Sequence, residues 1–234
     1  MVYYSIMFNV FDLDDTLYSL RGAFDRAHKR MFPDLHVDDL GELFACVRKH
    51  SYVTLEMTAK GELKQEDEFS YRIMRAYAEH GIDLSRAECD VYEKIYREEQ
   101  KNIVLFDGAD KLLDHYAAVS DKIAIMTNGL VAVQMGKIER LGLKKWFSED
   151  RIFISDDLGF PKPDERAHME VEKRLGALPH DIRMIGDTYA ADMRGAIERG
   201  WKTVWFNHRH EQLPEGAPEP DVTVYSMEEL LQIK

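Results

Sequence analysis

Six short apolar runs, well separated along the chain, constrain the fold more than any other feature. They are Ile6–Phe11, Lys122–Thr127, Arg151–Ser155, Ile182–Gly186, Thr203–Phe206 and Val222–Tyr225. A run that is apolar almost throughout, with no alternation, fits a strand buried on both faces of a sheet. Helical patterns fill the intervals. Val131, Met135, Ile138 and Leu141 share one helical face, and Gly142 follows as a stop. Pro163 opens the next helix with Asp164 and Glu165 in its first turn, and Gly176 ends it; Ala190–Arg199 is stopped by Gly200. Proline at the start and glycine past the end are the usual asymmetry of helix termini. Strand–helix alternation at this spacing predicts an α/β fold, a doubly wound parallel sheet with helices on both faces.

One stretch breaks the alternation. Ser19 to Gln100 holds no convincing strand and offers helices around Ala23–Met31, Asp38–His50, Glu66–His80 and Ser85–Glu99. Ser85 and Glu88 form a capping-box pair at the start of the last. Phe69, Ile73 and Tyr77 recur at i, i+4 and i+8. The expectation is a helical bundle, residues 19–100, inserted after the first strand of an α/β core made of residues 1–18 and 101–234. Leu213–Pro220, with three prolines, reads as a surface connection before the last strand.

Composition narrows the partners. A formal charge of −12 opposes binding to a nucleic-acid polymer, which needs a basic face. It leaves room for a small phosphorylated substrate, because a metal ion and one lysine reverse the field locally. The apolar Met1–Phe11 segment has no preceding Lys or Arg, so it does not read as a signal peptide. It also falls well short of the roughly 20 residues needed to span a bilayer. Cys46 and Cys89 form no CxxC pair and no disulfide framework. The expected setting is the cytoplasm, away from membranes.

Four signals fall at or just past strand ends, the edge where open parallel sheets bind ligands. The first is Phe11-Asp12-Leu13-Asp14-Asp15-Thr16-Leu17. Carboxylates at i and i+2 project to the same side of a strand end, and three acids in four residues are costly without a cation among them. An EF-hand loop is excluded, since Leu17 and Ala23 stand where its glycine and its last glutamate belong. The second is Thr127-Asn128-Gly129, a hydroxyl and backbone N–H groups ahead of a helix, which suit a phosphate. The third is Gly159-Phe160-Pro161-Lys162-Pro163, a lysine between two prolines that restrain its backbone. The fourth is Gly186-Asp187-Thr188-Tyr189-Ala190-Ala191-Asp192, with one acid ahead of a helix and a second a turn later.

In this order, the four motifs resemble the haloacid dehalogenase-like superfamily of phosphohydrolases, whose sheet core is Rossmann-like and whose C1-type cap is inserted where residues 19–100 lie. The resemblance implies Asp12 as nucleophile, forming an aspartyl-phosphate. Asp14 would protonate the leaving oxygen and then activate water. Mg²⁺ would be held by the Asp12 carboxylate, the Asp14 carbonyl and Asp187, with Asp192 binding through water or orienting the shell. Thr127, the Asn128 amide and Lys162 would hold the phosphoryl oxygens. The metal and lysine are expected to keep Asp12 ionised, and a less compensated site to let Asp14 hold a proton.

Within the superfamily, dehalogenases typically lack an acid two residues after the nucleophile, so Asp14 favours phosphate chemistry. A phosphomutase would need a second phosphate site in the cap, and no clear motif for one is present. A receiver domain is opposed by the length, the insert and Asp14. Phosphoglycolate or a sugar phosphate is an alternative substrate. The nearer resemblance is to bacterial pyrimidine 5′-nucleotidases. It is carried by Met126–Gly129, Gln134, Ile138–Leu143, Phe206–Gln212 and Pro214-Glu215-Gly216. Tyr52, Phe69, Tyr71, Tyr92 and Tyr96 of the insert could stack on a base, although their helical spacing favours core packing. His208 and His210 lack a nearby third ligand and are expected to serve structure or the site's mouth rather than a metal.

Overall fold

The computed structural model describes residues 7–119 and 122–233; Ile6, assigned above to the first strand, lies outside them. Six strands form one parallel sheet: β1 (Phe8–Phe11), β2 (Ile123–Thr127), β3 (Ile152–Ile154), β4 (Ile182–Gly186), β5 (Lys202–Phe206) and β6 (Val222–Val224). Their order is β3-β2-β1-β4-β5-β6, and every neighbouring pair is parallel. From β1 the chain builds outward on one side through β2 and β3, then crosses back to place β4 on the other side of β1. With right-handed crossovers this reversal puts the connecting helices on opposite faces and opens a crevice at the β1/β4 ends.

The chain divides into two compact units: the residues up to Ser19 together with Val104 onward, and Leu20–Ile103. In the α/β unit, β1, β2 and β3 are buried throughout, which is why their sequence shows no alternation. Successive side chains still face opposite ways. Phe8 and Val10 join a core with Met126, Phe153, Met184, Trp201 and Trp205. Phe11 points to the other face and meets Tyr116 and Phe147 edge-on, with ring centroids 5.4 and 6.3 Å apart.

The helices of this unit are α5 (Ala109–Val119), α6 (Val131–Arg140), α7 (Ser155–Leu158), α8 (Glu165–Leu175), α9 (Arg194–Arg199) and α10 (Met227–Leu230). Three expectations need correction. The α8 helix opens at Glu165, because the Asp164 side chain accepts from the Arg166 N–H and caps it; Pro163 stays outside. The buried face of α6 is carried by Gln134, Lys137, Ile138 and Leu141, whereas Val131 is exposed. Two polar side chains point inward there because an acid awaits them, as described below. The expected helix Ala190–Arg199 is a wide π turn, Tyr189–Met193, running into α9. Such turns recur at functional sites, and this one carries Asp192.

The helical unit holds α1 (Leu20–Met31), α2 (Leu40–Ala59), α3 (Glu68–Glu79) and α4 (Arg86–Glu99). Its centre is aromatic: Phe24, Tyr77 and Tyr92 are almost fully buried, and the His28 ring shares a 2.7 Å hydrogen bond with the Tyr77 hydroxyl. Phe69 and Tyr96 are also buried, so packing accounts for three of the five candidate base-stacking rings. Tyr52 and Tyr71 are half-buried. The Ser85–Glu88 capping box is formed in both directions and starts α4. Arg26 and Arg30 close on Glu99 at 2.7 and 2.6 Å, tying α1 to α4. Among the described residues no helix is long and apolar enough to cross a membrane.

Candidate active site

The strand order brings the ends of β1, β2 and β4 side by side, and three of the four motifs leave from those ends. The Asp12 N–H donates to the Ile185 carbonyl at 2.8 Å, fixing the first motif against β4. Lys162 comes from the loop after α7. Its Nζ donates to Asp12 Oδ1, Asp192 Oδ1 and the Met126 carbonyl, each at 2.7 Å. The Asn128 side chain fixes that loop: Nδ2 donates to the Lys162 carbonyl at 2.9 Å, and Oδ1 accepts the Lys162 N–H at 2.8 Å. Asn128 therefore positions the lysine, a task the sequence did not reveal.

Asp12, Asp187 and Asp192 are buried and offer carboxylate oxygens within 4.8 Å of one another. Asp192 is aimed by the Thr188 N–H, which donates to its Oδ2 at 2.9 Å. It also depends on Gly186, where an added Cβ would stand 2.5 Å from the Asp192 carboxyl. The Thr16 hydroxyl lies 3.2 Å from both Asp12 Oδ2 and Asp187 Oδ1; its single proton serves one acid at a time. Asp15 adopts a left-handed backbone, φ 62°, a conformation Asp tolerates better than most residues. Its carbonyl accepts from His208 Nε2 at 3.0 Å.

Arg209 closes the far side. It donates to Asp187 Oδ2 at 2.6 Å and reaches Asp15 Oδ2 at 3.5 Å. Burial works against its charge, yet Asp187 and Asp15 hold its proton more firmly than usual. The same contest holds at Lys162, where Asp12 and Asp192 outweigh burial. Burial pushes the Asp12 carboxyl well above its ordinary range; Lys162 opposes this, and Asp192, Asp187 and Asp14 add to it. Asp192 is raised in the same way by burial, against Lys162. Here four buried carboxylates, Asp12, Asp15, Asp187 and Asp192, face two cations, Lys162 and Arg209. The surplus is two negative charges. An all-oxygen donor set with that surplus fits a hard divalent cation such as Mg²⁺.

Asp14 differs from expectation. It accepts from Lys137 Nζ at 2.7 Å on both oxygens, from Gln134 Nε2 at 3.3 Å and from the Tyr18 hydroxyl. It is therefore well compensated, because the buried face of α6 presents Gln134 and Lys137 to it. Gln134 also donates to the Thr127 hydroxyl oxygen at 2.6 Å, linking the second motif to the first. Lys137, Thr16 and Arg209 were given no role by sequence reasoning. Lys137 left one trace, a charge on the same helical face as Ile138 and Leu141. His208 and His210 part company: His208 packs on Phe206 and Phe106, while His210 stacks on Tyr225 with ring planes 7° apart. Neither joins the carboxylates.

The fold and this arrangement of acids define a hydrolase: the chain belongs to the haloacid dehalogenase-like hydrolase family, whose model matches residues 9–206. It is 32% identical to pyrimidine 5′-nucleotidase YjjG of Escherichia coli over 228 residues, covering 95% of each chain. It is 26% identical to pyrimidine 5′-nucleotidase PynA of Streptococcus pneumoniae, over 96% of this chain and 93% of that one. Among solved structures it is similar to the Bacillus subtilis HAD-hydrolase YfnB bound to magnesium: TM-score 0.74, 25% identity, 96% and 98% of the two chains. It also superposes on L-2-haloacid dehalogenase RSc1362 with TM-score 0.78, covering 97% of each chain; at 19% identity that likeness concerns the fold alone.

Proposed function

We propose that this hydrolase is a Mg²⁺-dependent phosphomonoesterase that works through an aspartyl-phosphate on Asp12 and prefers pyrimidine nucleoside 5′-monophosphates. The observation that carries the reading is the pair Asp12 and Asp14: one acid clamped by Lys162, the other two residues on and held by separate donors. Two carboxylates in separate environments suit two roles. A halide leaves without a proton, so dehalogenation would give Asp14 nothing to do. The relatives named as nucleotidases support the substrate class; relatives named as glyceraldehyde 3-phosphate phosphatases keep sugar phosphates as the rival.

In this mechanism Asp12 attacks phosphorus in line, and the bond to the leaving oxygen breaks as Asp14, once it has turned from the Lys137 ammonium and taken up a proton, delivers that proton to it. Lys162 and Thr127, with the Asn128 amide, hold the phosphoryl oxygens. Asp14 then takes a proton from water as that water attacks the phosphoryl group and releases Asp12. Asp12, Asp187 and the Asp14 carbonyl would hold Mg²⁺, with Asp192 orienting the set; the ion supplies charge neutralisation for a dianionic substrate. The demand is large. Phosphate-monoester hydrolysis calls for up to ~10²¹-fold acceleration, about 28 kcal/mol. Acid–base catalysis supplies roughly 3–5 kcal/mol, positioning about 7–11 and a metal several more. No one group suffices, which is why so many side chains converge on Asp12.

The catalytic groups fix a phosphoryl group and include none that discriminates a base, so substrate choice rests on residues outside the constellation. The test compares kcat/KM for uridine and thymidine monophosphates, purine monophosphates, phosphoglycolate and hexose phosphates at saturating Mg²⁺. Pyrimidine nucleotides are expected to lead. A tenfold advantage for phosphoglycolate or a hexose phosphate, about 1.4 kcal/mol, would overturn the nucleotidase reading and leave the phosphatase reading standing.

A further inference from the structure

We propose that Cys46, His50 and Glu79 form a second metal site, for a thiophilic transition ion such as Zn²⁺, inside the helical unit. Cys46 and His50 stand four residues apart on α2, so they lie one turn above the other on a single face. Glu79 is the last residue of α3. His50 Nε2 lies 2.6 Å from Glu79 Oε1, the Cys46 thiol 3.1 Å from Glu79 Oε2, and one donor atom from each residue lies within 4.8 Å of the others.

The chemistry of the donors is that of zinc and cobalt rather than of magnesium: one sulfur, one imidazole nitrogen and one carboxylate oxygen. Ligand atoms around a tetrahedral Zn²⁺ at its usual bond lengths stand about 3.3–3.6 Å apart. The Cys46–Glu79 distance falls a few tenths of an ångström short of that and the His50–Glu79 distance about 0.7 Å or more, so the carboxyl must move outward for an ion to fit. Glu79, whose side chain is 40% exposed, is the ligand free to retreat, and its exposure gives the ion a way in. The Cys46 S–H and the His50 Nε2–H both point at the Glu79 carboxyl, so an ion entering the cluster displaces both protons. Burial holds the Cys46 thiol up at about 11. Binding therefore breaks the Cys46 S–H bond, moves the His50 ring proton from Nε2 to Nδ1, forms metal–thiolate and metal–imidazole bonds and releases one proton to solvent.

A second observation singles out His50. Its ring is almost fully buried, and its Nδ1 has no hydrogen-bond partner among the described residues. An unpartnered buried polar atom costs about 1–3 kcal/mol, so simple packing of α2 on α3 would favour an apolar side chain there. The ring's one polar contact points into the cluster. With no carboxylate behind Nδ1, affinity should fall about 10–100-fold below that of a site whose histidine is so supported. Lys49, 3.5 Å from Glu79, also opposes a cation, but it is largely exposed and can swing into solvent. The fourth position is left to water.

Cobalt(II) separates this site from the carboxylate site, because only a thiolate gives a sulfur-to-cobalt charge-transfer band in the near ultraviolet. Co²⁺ is titrated into the whole protein with Mg²⁺ in large excess. The expected result is one equivalent of Co²⁺ developing that band, displaced by Zn²⁺, kept in Cys89→Ser and abolished in Cys46→Ser. No band in the wild type overturns the proposal, as does a band that survives Cys46→Ser or vanishes in Cys89→Ser. If Cys46→Ser does not fold, His50→Gln and Glu79→Gln keep the thiol and decide the matter. Each should weaken Co²⁺ binding at least tenfold, and unchanged titration midpoints in both would overturn the site.

Discussion

Lys162→Met removes the cation between Asp12 and Asp192 while keeping most of the side chain's length. The wild-type side chain is 2% exposed and its ammonium sits 2.7 Å from each carboxylate, so water cannot take its place without opening the core. Removing one partner of a buried ion pair costs about 3–5 kcal/mol. The two contacts share one lysine, so the cost is not doubled. At roughly 2–4 °C per kcal/mol for a unit of this size, the melting midpoint should fall by about 6–20 °C at pH 7 in EDTA. Millimolar Mg²⁺ should recover part of the loss, since a ligand at 100 times its Kd adds about 2.7 kcal/mol. The assay is thermal unfolding followed by circular dichroism, with and without Mg²⁺. A midpoint within about 2 °C of wild type in EDTA would refute the view that Lys162 carries the burial of these acids.

Three further outcomes follow from the same geometry. Asp14→Asn should slow hydrolysis of nucleotides far more than that of p-nitrophenyl phosphate, whose leaving group scarcely needs a proton; equal losses, with chemistry rate-limiting, would remove Asp14 as the acid. Gly186→Ala should cut turnover by at least 100-fold while the protein stays folded, because the new methyl meets the Asp192 carboxyl at 2.5 Å; near-wild-type turnover would show that Asp192 is not held where catalysis needs it. His168→Leu should flatten the acid side of the stability profile. Burial lowers the His168 pKa, so the unfolded chain binds a proton first, near pH 6.5, and wild-type stability drops as pH falls below that value. Denaturant titrations at pH 7 and pH 5 should show a smaller drop in His168→Leu, and an equal drop in both proteins would contradict the assignment.

Much of the sheet was legible because β1, β2 and β3 are buried throughout, which leaves a run such as Ile123–Thr127 apolar from end to end. The four motifs were legible because each is local, with its chemistry packed into a few consecutive residues. What escaped was long-range. Lys137 pairs with Asp14 across 123 positions, and Arg209 reaches Asp15 across 194; neither partner can be read from the residues around them. The rotated face of α6 is the same failure. Gln134 and Lys137 look solvated until Asp14 is placed beside them. The wide turn at Tyr189–Met193 and the double hydrogen bond of Asn128 to Lys162 are likewise set by contacts between loops, which no periodicity encodes.

Covalent catalysis by Asp12 is tested most directly by the stereochemical course at phosphorus. A thiophosphate monoester made chiral at phosphorus with two oxygen isotopes is hydrolysed in water carrying the third, with Mg²⁺ present, and the configuration of the released thiophosphate is read. Two in-line displacements, first by Asp12 and then by water, give net retention. Inversion would mean that water attacks the substrate directly, and it would contradict an aspartyl-phosphate on Asp12 however well Lys162, Asp187 and Asp192 surround that residue.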